Sequence, residues 1–236
     1  MQPNQVVSRD TWLAARKQLL MLEKQETHLR DKINAERLAL PWVRVEKDYV
    51  FDTPAGPRTL SQLFQGRSQL IVYHFMLAPG WAAGCRGCSF VSDHLDGALP
   101  HLEHHDVTLT AVSRAPLAEI ESYKRRMGWR FPWVSAFAND FNADYHVSFT
   151  AEEIAAGKVS YNFSELDAAN AGPEMPGLSA FFKDDTGEIF HTYSSYGRGF
   201  EELIGTLMIL DRAPMGRNEK SVMDFVRRHD EYENVP

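Results

Sequence analysis

The sequence predicts an α/β fold in which helices flank a mixed β-sheet and a long helical arm comes first. Three observations support this fold class. In the middle of the chain, apolar runs typical of buried strands alternate with segments of helical spacing. The last third contains a hairpin pattern, and the first forty residues contain an amphipathic stripe. We predict an arm over residues 1–40 and one domain over residues 41–236, since 236 residues with 44% apolar content can bury one sizeable core.

The arm is predicted to be a single long helix. Apolar residues recur every three or four positions on one face, and charged residues cover the other faces. This face consists of Trp12, Ala15, Leu19, Leu22, Leu29 and Ile33. Pro41 ends the helix because proline lacks the backbone N–H that continues it. Two interpretations stay open: the face packs across its own domain, or it pairs with a second copy as a homodimer contact.

The predicted sheet centres on LIVYHFM at residues 70–76. This run is short and rich in β-branched and aromatic residues, which is typical of a strand buried on both faces. VTLTAVS at residues 107–113 and WVSAF at residues 133–137 have the same character. GLSAFFKD and EIFHTYSSY flank the turn residues Asp185, Thr186 and Gly187, and this pattern predicts a β-hairpin.

Helices are predicted between and after the strands. One follows the first strand at residues 89–99, and another begins at Pro116 and ends near Gly128. The less regular region at residues 139–176 contains a capping box, Thr150-Ala-Glu-Glu153, that begins a short helix. The chain is predicted to finish with the apolar helix GFEELIGTLMILD and a last short helix marked by Val222, Phe225 and Val226.

Charge and composition exclude two classes of protein. The net charge of −7 argues against nucleic-acid binding, which needs a basic stripe. No apolar run approaches the length of a membrane span, and no signal-peptide core follows the first residues. We therefore expect a cytoplasmic protein without membrane or nucleic-acid partners, in which a structural disulfide would not persist.

The two cysteines, Cys85 and Cys88, stand in GWAAGCRGCSF between the strongest strand and a predicted helix. A thiol at the first turn of a helix faces unpaired backbone N–H groups, which stabilise the thiolate. Arg86 adds a positive charge beside it. We predict that Cys85 attacks, that Cys88 resolves, and that Gly84 and Gly87 let a substrate chain come close.

A metal site is the weaker interpretation of the same pair. Two cysteines supply only half of the usual four zinc ligands. The nearest histidines are poorly spaced to complete the set, because Pro100 interrupts their helix. They are His94, His101, His104 and His105. We expect neither a bound metal nor another cofactor.

Several longer strings resemble known proteins. The unit of strand, loop, Cys-x-x-Cys and helix is similar to thioredoxin, and VTLTAVSRAPLAEIESYKRRMGW with FFKDDTGEIFHTY is similar to the peroxiredoxin branch of that fold. More closely, LPWVRVEKDYVFDTP, SQLIVYHFM, RMGWRFPWVS, DFNADYHVSFT and PGLSAFF with FHTYSSYGRG resemble a bacterial thioredoxin-like family, domain of unknown function 899. This resemblance covers nearly the whole chain and implies a thioredoxin-like fold.

The resemblance also implies roles for residues. It places the nucleophile at Cys85 and the resolving thiol at Cys88, and it puts Pro176 where thioredoxin-like proteins keep a cis-proline beside the substrate. The positions at which peroxiredoxins carry proline and threonine before their peroxidatic cysteine hold Ala78 and Ala82, counted from Cys85. A hydroxyl that would orient peroxide is therefore missing.

The sequence thus predicts a thiol–disulfide oxidoreductase acting on a protein or small-molecule disulfide or thiol. Pro176, Arg86 and Arg114 are the predicted substrate-binding residues, Arg114 because it follows a strand at the sheet end where this fold binds ligands. The alternative is a non-catalytic or metal-holding binding protein that uses the region at residues 139–176. A peroxidase is less favoured.

Overall fold

The structure, a computed structural model, describes residues 5–233. The chain divides into two compact units, Met1–Pro41 and Trp42–Pro236.

The first unit consists mainly of one helix, α1 (Arg9–Leu38), as the spacing of apolar residues predicts. Ser8 caps its first turn, since the side-chain oxygen accepts a hydrogen bond from the Thr11 N–H at 3.2 Å. No residue of α1 is buried, and the apolar side chains Leu19 and Leu22 are 50% and 62% exposed. Pairing of this face with a second copy stays a prediction.

The second unit is built on a six-stranded mixed sheet, which confirms the predicted thioredoxin-like fold class. The strands of this unit are β1 (Val43–Arg44), β2 (Val50–Phe51), β3 (Arg58–Thr59), β4 (Gln69–His74), β5 (Val107–Ser113), β6 (Trp133–Ser135), β7 (Lys158–Tyr161), β8 (Ser164–Asp167), β9 (Gly177–Lys183) and β10 (Ile189–Tyr196). The strand order of the sheet is β1, β10, β9, β4, β5, β6. The central strand β4 pairs in parallel with β5, which pairs in parallel with β6, and β4 pairs antiparallel with β9. Two hairpins, β2 with β3 and β7 with β8, lie outside this sheet.

The helices of this unit are mostly short. They are α2 (Leu60–Leu63), α3 (Arg86–Leu95), α4 (Leu99–His104), α5 (Leu117–Met127), α6 (Phe141–Asp144), α7 (Ala151–Ala155) and α8 (Gly205–Leu210), with 3₁₀ turns at Asp96–Ala98, Ala168–Asn170, Gly197–Leu203 and His229–Glu231. Both termini of α5 agree with the sequence, because Pro116 precedes it and Gly128 follows in the left-handed conformation. The capping box at Thr150 is confirmed at the start of α7.

Alternation along β4 separates two apolar cores on opposite faces of the sheet. Tyr73 belongs to the core that contains Cys88 and the inner faces of α3 and α5. Leu70 and Val72 belong to the other core, which the β2–β3 hairpin, α2 and α6 cover. The thiol-bearing helix α3 therefore packs on one face of the sheet, with aromatic side chains beneath it.

Two sequence predictions need correction in the second half of the chain. The region at residues 139–176 is more regular than predicted, since it holds α6, α7 and the β7–β8 hairpin. The predicted helix GFEELIGTLMILD is divided into a 3₁₀ turn and α8, because Ile204 between them has a non-helical backbone with φ −94° and ψ 85°.

The prediction of a last short helix, marked by Val222, Phe225 and Val226, is wrong. This segment forms turns instead. The Asp224 carboxylate accepts hydrogen bonds from the backbone N–H groups of Lys220 and Ser221, and such local bonds compete with helix formation. Among residues 5–233, no helix is long and apolar enough to cross a membrane.

Candidate active site

The strand-to-helix junction after β4 places Cys85 at the N-cap of α3. The Cys85 N–H donates to the Met76 carbonyl at 3.1 Å, and the Cys85 carbonyl accepts from both the N–H and the hydroxyl of Ser89, at 2.9 Å and 2.8 Å. The Ser89 hydroxyl also lies 2.8 Å from the Tyr123 hydroxyl on α5. These bonds tie the loop that contains Cys85 to the segment after β4 and, through Ser89, to α5.

Gly84 has a different role from the one the sequence suggests. A Cβ atom at this position would lie 2.5 Å from the Phe75 ring and 2.7 Å from the Tyr123 ring. The glycine is therefore needed for packing against the core, rather than for the approach of a substrate chain. Gly87 is less confined, since the nearest atom to its Cβ would be the Met223 methyl at 3.6 Å.

The Cys85 thiol is acidic. Its pKa is lowered to about 6, first by a hydrogen bond from the Cys88 thiol and then by the backbone N–H groups of Cys88 and Gly87 and the charge of Arg228. Burial opposes these effects without cancelling them. Because the N–H groups belong to the first turn of α3, the local backbone stabilises the thiolate as the sequence predicts.

Cys88 is the opposite kind of thiol. It is 2% exposed, and burial raises its pKa well above the ordinary value. Its sulfur accepts a hydrogen bond from the Met76 N–H at 3.4 Å. Both cysteines are free thiols in this structure, so one helical turn carries one acidic and one protonated sulfur.

The positive charge next to Cys85 comes from Arg228 near the carboxy terminus. Its guanidinium donates to the Gly84 carbonyl from Nε at 3.0 Å and from Nη2 at 2.6 Å, and it pairs with Glu231 at 2.6 Å. Arg86, the sequence-predicted charge, is instead half-exposed, with its Nε 3.7 Å from a Glu231 carboxylate oxygen. A role for Arg86 in substrate binding stays a prediction.

Pro176 lines the same cavity as Cys85 and Cys88. The predicted cis peptide bond is wrong, because no cis bond occurs in residues 5–233. Contacts within the chain hold this segment: the Met175 N–H donates to the Val147 carbonyl at 2.8 Å, and the Tyr161 hydroxyl donates to the Pro176 carbonyl at 2.7 Å. The Met175 N–H is thus not available to pair with the backbone of a substrate chain.

Arg114 lies away from the cysteines' cavity and binds Glu174. The Arg114–Glu174 ion pair has a separation of 2.6 Å, and its carboxylate is 1% exposed. Burial raises the pKa of Glu174 to about 7, while the Arg114 guanidinium acts in the opposite direction. Arg114 thus anchors the segment that leads to Pro176, and its contact with a substrate stays a prediction.

The histidines do not approach the thiols as ligands. The Nδ1 of His94 donates to the Phe90 carbonyl at 2.7 Å, and its Nε2 accepts from the Thr206 N–H at 3.1 Å. Within the described range, no three His, Cys, Asp or Glu side chains are grouped to hold a metal ion.

Sequence reasoning missed two groups at this site. Arg228 gives no local signal, because it lies in a charged stretch 144 positions from Gly84. Tyr73 stands in the predicted strand directly before His74, and its phenol lines the cavity beside Cys88. A hydroxyl within an otherwise apolar strand requires a partner, and that requirement is the signal that could have identified it.

Replacing Arg228 tests the source of the acidity. We expect Arg228→Gln to raise the pKa of Cys85, because a nearby positive charge no longer favours the thiolate. Alkylation of Cys85 by iodoacetamide, located by mass spectrometry, should rise with pH through about 6 in the natural chain and at higher pH in the variant. Arg86→Gln is the matched control and should leave the midpoint almost unchanged. Equal shifts in both variants would contradict this account.

The two glycines beside Cys85 provide a second test. Gly84→Ala should lower the free energy of unfolding by about 1–3 kcal/mol, because the added methyl group overlaps two core rings. Gly87→Ala introduces only ordinary contacts and should not destabilise the protein. Urea denaturation of both variants measures the difference. Similar stability of the two variants would show that Gly84 is not confined by the core.

Comparison with known proteins finds similar solved structures and one matching family. Solved structures similar to this chain include the peroxidoxin BcpB from Mycobacterium tuberculosis, with 14% identity, a TM-score of 0.45, and coverage of 72% of this chain and 97% of that one. A peroxiredoxin Q mutant from Xanthomonas campestris has 13% identity, a TM-score of 0.45, and coverage of 69% and 90%. The mitochondrial 2-Cys peroxiredoxin from Plasmodium falciparum has 15% identity, a TM-score of 0.41, and coverage of 72% and 94%. No curated protein matches the chain. The family match extends over residues 1–232, and the chain therefore belongs to the family described as bacterial protein of unknown function (DUF899).

Proposed function

We propose that this protein is a thiol–disulfide oxidoreductase in which Cys85 attacks a disulfide and Cys88 resolves the intermediate. The observation that supports it most is the contrast between the two thiols on one helical turn. Cys85 has a pKa lowered to about 6, while burial raises the pKa of Cys88. An attacking thiol must be ionised near neutral pH, and a resolving thiol must wait protonated until it is needed.

The reaction has two exchange steps. The Cys85 thiolate forms a bond to one sulfur of the substrate, the substrate S–S bond breaks, and the other sulfur leaves with the electron pair. Cys88 then loses its proton and attacks the Cys85 sulfur, which releases the second substrate thiol and leaves a Cys85–Cys88 disulfide. The two substrate thiols take one proton from Cys88 and one from solvent. An external thiol reduces the protein again.

The neighbouring groups suit this sequence of events. The Cys88 thiol donates to the Cys85 sulfur, so the two sulfurs are already in contact before the second step. When Cys85 becomes part of a mixed disulfide, it loses its negative charge and no longer competes for the Cys88 proton. All electrons pass through sulfur, and the proposed chemistry therefore needs no metal or organic cofactor.

The proposed partner is a protein or small-molecule disulfide or thiol. Peroxide reduction is the less favoured candidate, because Ala78 and Ala82 offer no hydroxyl near Cys85 to orient a peroxide. A binding protein with inert or metal-holding cysteines is the third.

Cysteine variants separate these functions. We expect Cys85→Ser to abolish reduction of a model disulfide, because serine supplies no thiolate. Cys88→Ser should still attack once and then accumulate a stable mixed disulfide with the substrate. Steady-state turnover with dithiothreitol, together with intact mass measurement, records both effects.

Three results would contradict the proposal. Unchanged turnover in Cys85→Ser would exclude Cys85 as the nucleophile. One zinc per chain that is lost in Cys85→Ser would favour the metal-holding protein. Oxidation of Cys85 by hydrogen peroxide much faster than by any disulfide would favour a peroxidase.

We also propose that α1 forms a homodimer contact. Its apolar side chains are exposed along the helix at the predicted three- and four-residue spacing. Leu19→Glu with Leu22→Glu should convert a dimer into a monomer in sedimentation equilibrium, because it places four carboxylates in the contact. The matched control is Lys17→Glu with Lys24→Glu, which changes charge on the same helix and leaves the apolar residues in place. A natural chain that is monomeric at all concentrations would contradict the proposal.

A further inference from the structure

The cavity beside the two cysteines is small and apolar. Its volume is about 240 Å³, below the roughly 300–1,000 Å³ of typical small-molecule pockets. Besides Cys85 and Cys88, its wall is formed mainly by apolar side chains. These include Met76, Val91, Pro176, Phe200, Ile204 and Met223. Such a space accommodates a short alkyl or aryl group next to a sulfur atom.

The charged residues of the wall are already paired. Arg198 Nη2 lies 2.8 Å from a Glu201 carboxylate oxygen, and the other Glu201 oxygen binds Arg217. A charged substituent in this cavity would lose its hydration, and the Cys85 thiolate, which also lines the wall, loses its charge as its sulfur bonds to the substrate. The cavity therefore discriminates against carboxylate and ammonium groups.

One polar group faces this apolar space with no nitrogen or oxygen partner among the described residues. Tyr73 is 1% exposed, and the Cys88 thiol is the group with which its hydroxyl interacts. It lines the cavity and neighbours Cys88. A thiol is a weak hydrogen-bonding partner, so the Tyr73 hydroxyl can still donate a hydrogen bond to a ligand that accepts one there.

We propose that the cavity binds a small disulfide with uncharged, apolar substituents, and that the Tyr73 hydroxyl donates a hydrogen bond to its departing sulfur. This substrate class rests on the oxidoreductase function proposed above. In the first exchange step, the Cys85 sulfur bonds to one substrate sulfur and the substrate S–S bond breaks. The departing sulfur takes the electron pair, receives the Tyr73 hydrogen bond and is then protonated by water.

The test is a single-turnover series with the reduced protein. The probes are dipropyl disulfide, the anionic 3,3′-dithiodipropionate and the cationic cystamine, which are similar in length. Each rate constant is divided by that for the same disulfide with free dithiothreitol, which corrects for intrinsic reactivity. We expect the corrected rate for dipropyl disulfide to exceed both others by about tenfold or more, because the cavity offers no charge partner.

A charge placed at the rim should change this order. Val222 lines the cavity and is 64% exposed, so Val222→Lys should fold normally. It should raise the corrected rate for dithiodipropionate several-fold and leave cystamine disfavoured. Val43→Lys, at a residue that is 65% exposed and outside the cavity, is the matched control and should change nothing.

Tyr73→Phe tests the hydroxyl. In a Cys88→Ser background, which isolates the first step, it should slow reaction with dipropyl disulfide about tenfold while the pH midpoint of Cys85 alkylation stays the same. An unchanged rate would overturn the role of Tyr73. Corrected rates that do not depend on substituent charge would overturn the substrate class and leave the oxidoreductase intact.

Two further outcomes are decisive. A disulfide-bonded peptide that reacts faster than dipropyl disulfide would replace the small molecule with a protein segment and overturn the assignment. If no disulfide reacts with Cys85, the oxidoreductase function and this inference both fail.

Discussion

The contact between Gly84 and two aromatic rings determines where the acidic thiol of Cys85 lies. The Cα of Gly84 packs against Phe75 and Tyr123 with no room for a side chain. From this fixed point the next residue, Cys85, begins α3. The acidity of Cys85, the burial of Cys88 and the shape of the adjoining cavity all depend on this close packing, because interiors at native density tolerate little displacement.

The same short segment gives two chemically identical side chains different properties. Both thiols lie near the first turn of α3, so the helix alone cannot explain the difference. Hydrogen bonds lower the pKa of Cys85 by more than its partial burial raises it. Cys88 is fully buried, so burial dominates and raises its pKa. A shift of one residue in the start of α3 would move both thiols out of these environments, since successive side chains of a helix are rotated by about 100°.

Local patterns allowed most of the fold to be predicted. LIVYHFM, VTLTAVS and the pair of strands around Asp185 signal their own structure, as does the Pro116–Gly128 helix. The Cys85–Cys88 junction could be predicted because a strand and a helix meet there in sequence. The backbone of the Met175–Pro176 segment could not be predicted, because hydrogen bonds with the distant residues Val147 and Tyr161 hold it. Arg228 could not either, since only the folded chain brings it to Gly84.

The attachment of Arg228 to the Gly84 carbonyl makes the end of the chain sensitive to the charge on sulfur. Arg228 lowers the pKa of Cys85, and thermodynamic reciprocity requires that ionisation of Cys85 strengthen the docking of Arg228 by the same factor. A disulfide carries no charge, so it does not attract the Arg228 guanidinium in this way. If Cys85 is oxidised as proposed, residues 219–233 are held more tightly in the reduced protein than in the oxidised one. A molecule that contacts residues 219–233 would then meet a more ordered surface when the thiol pair is reduced than when it is oxidised.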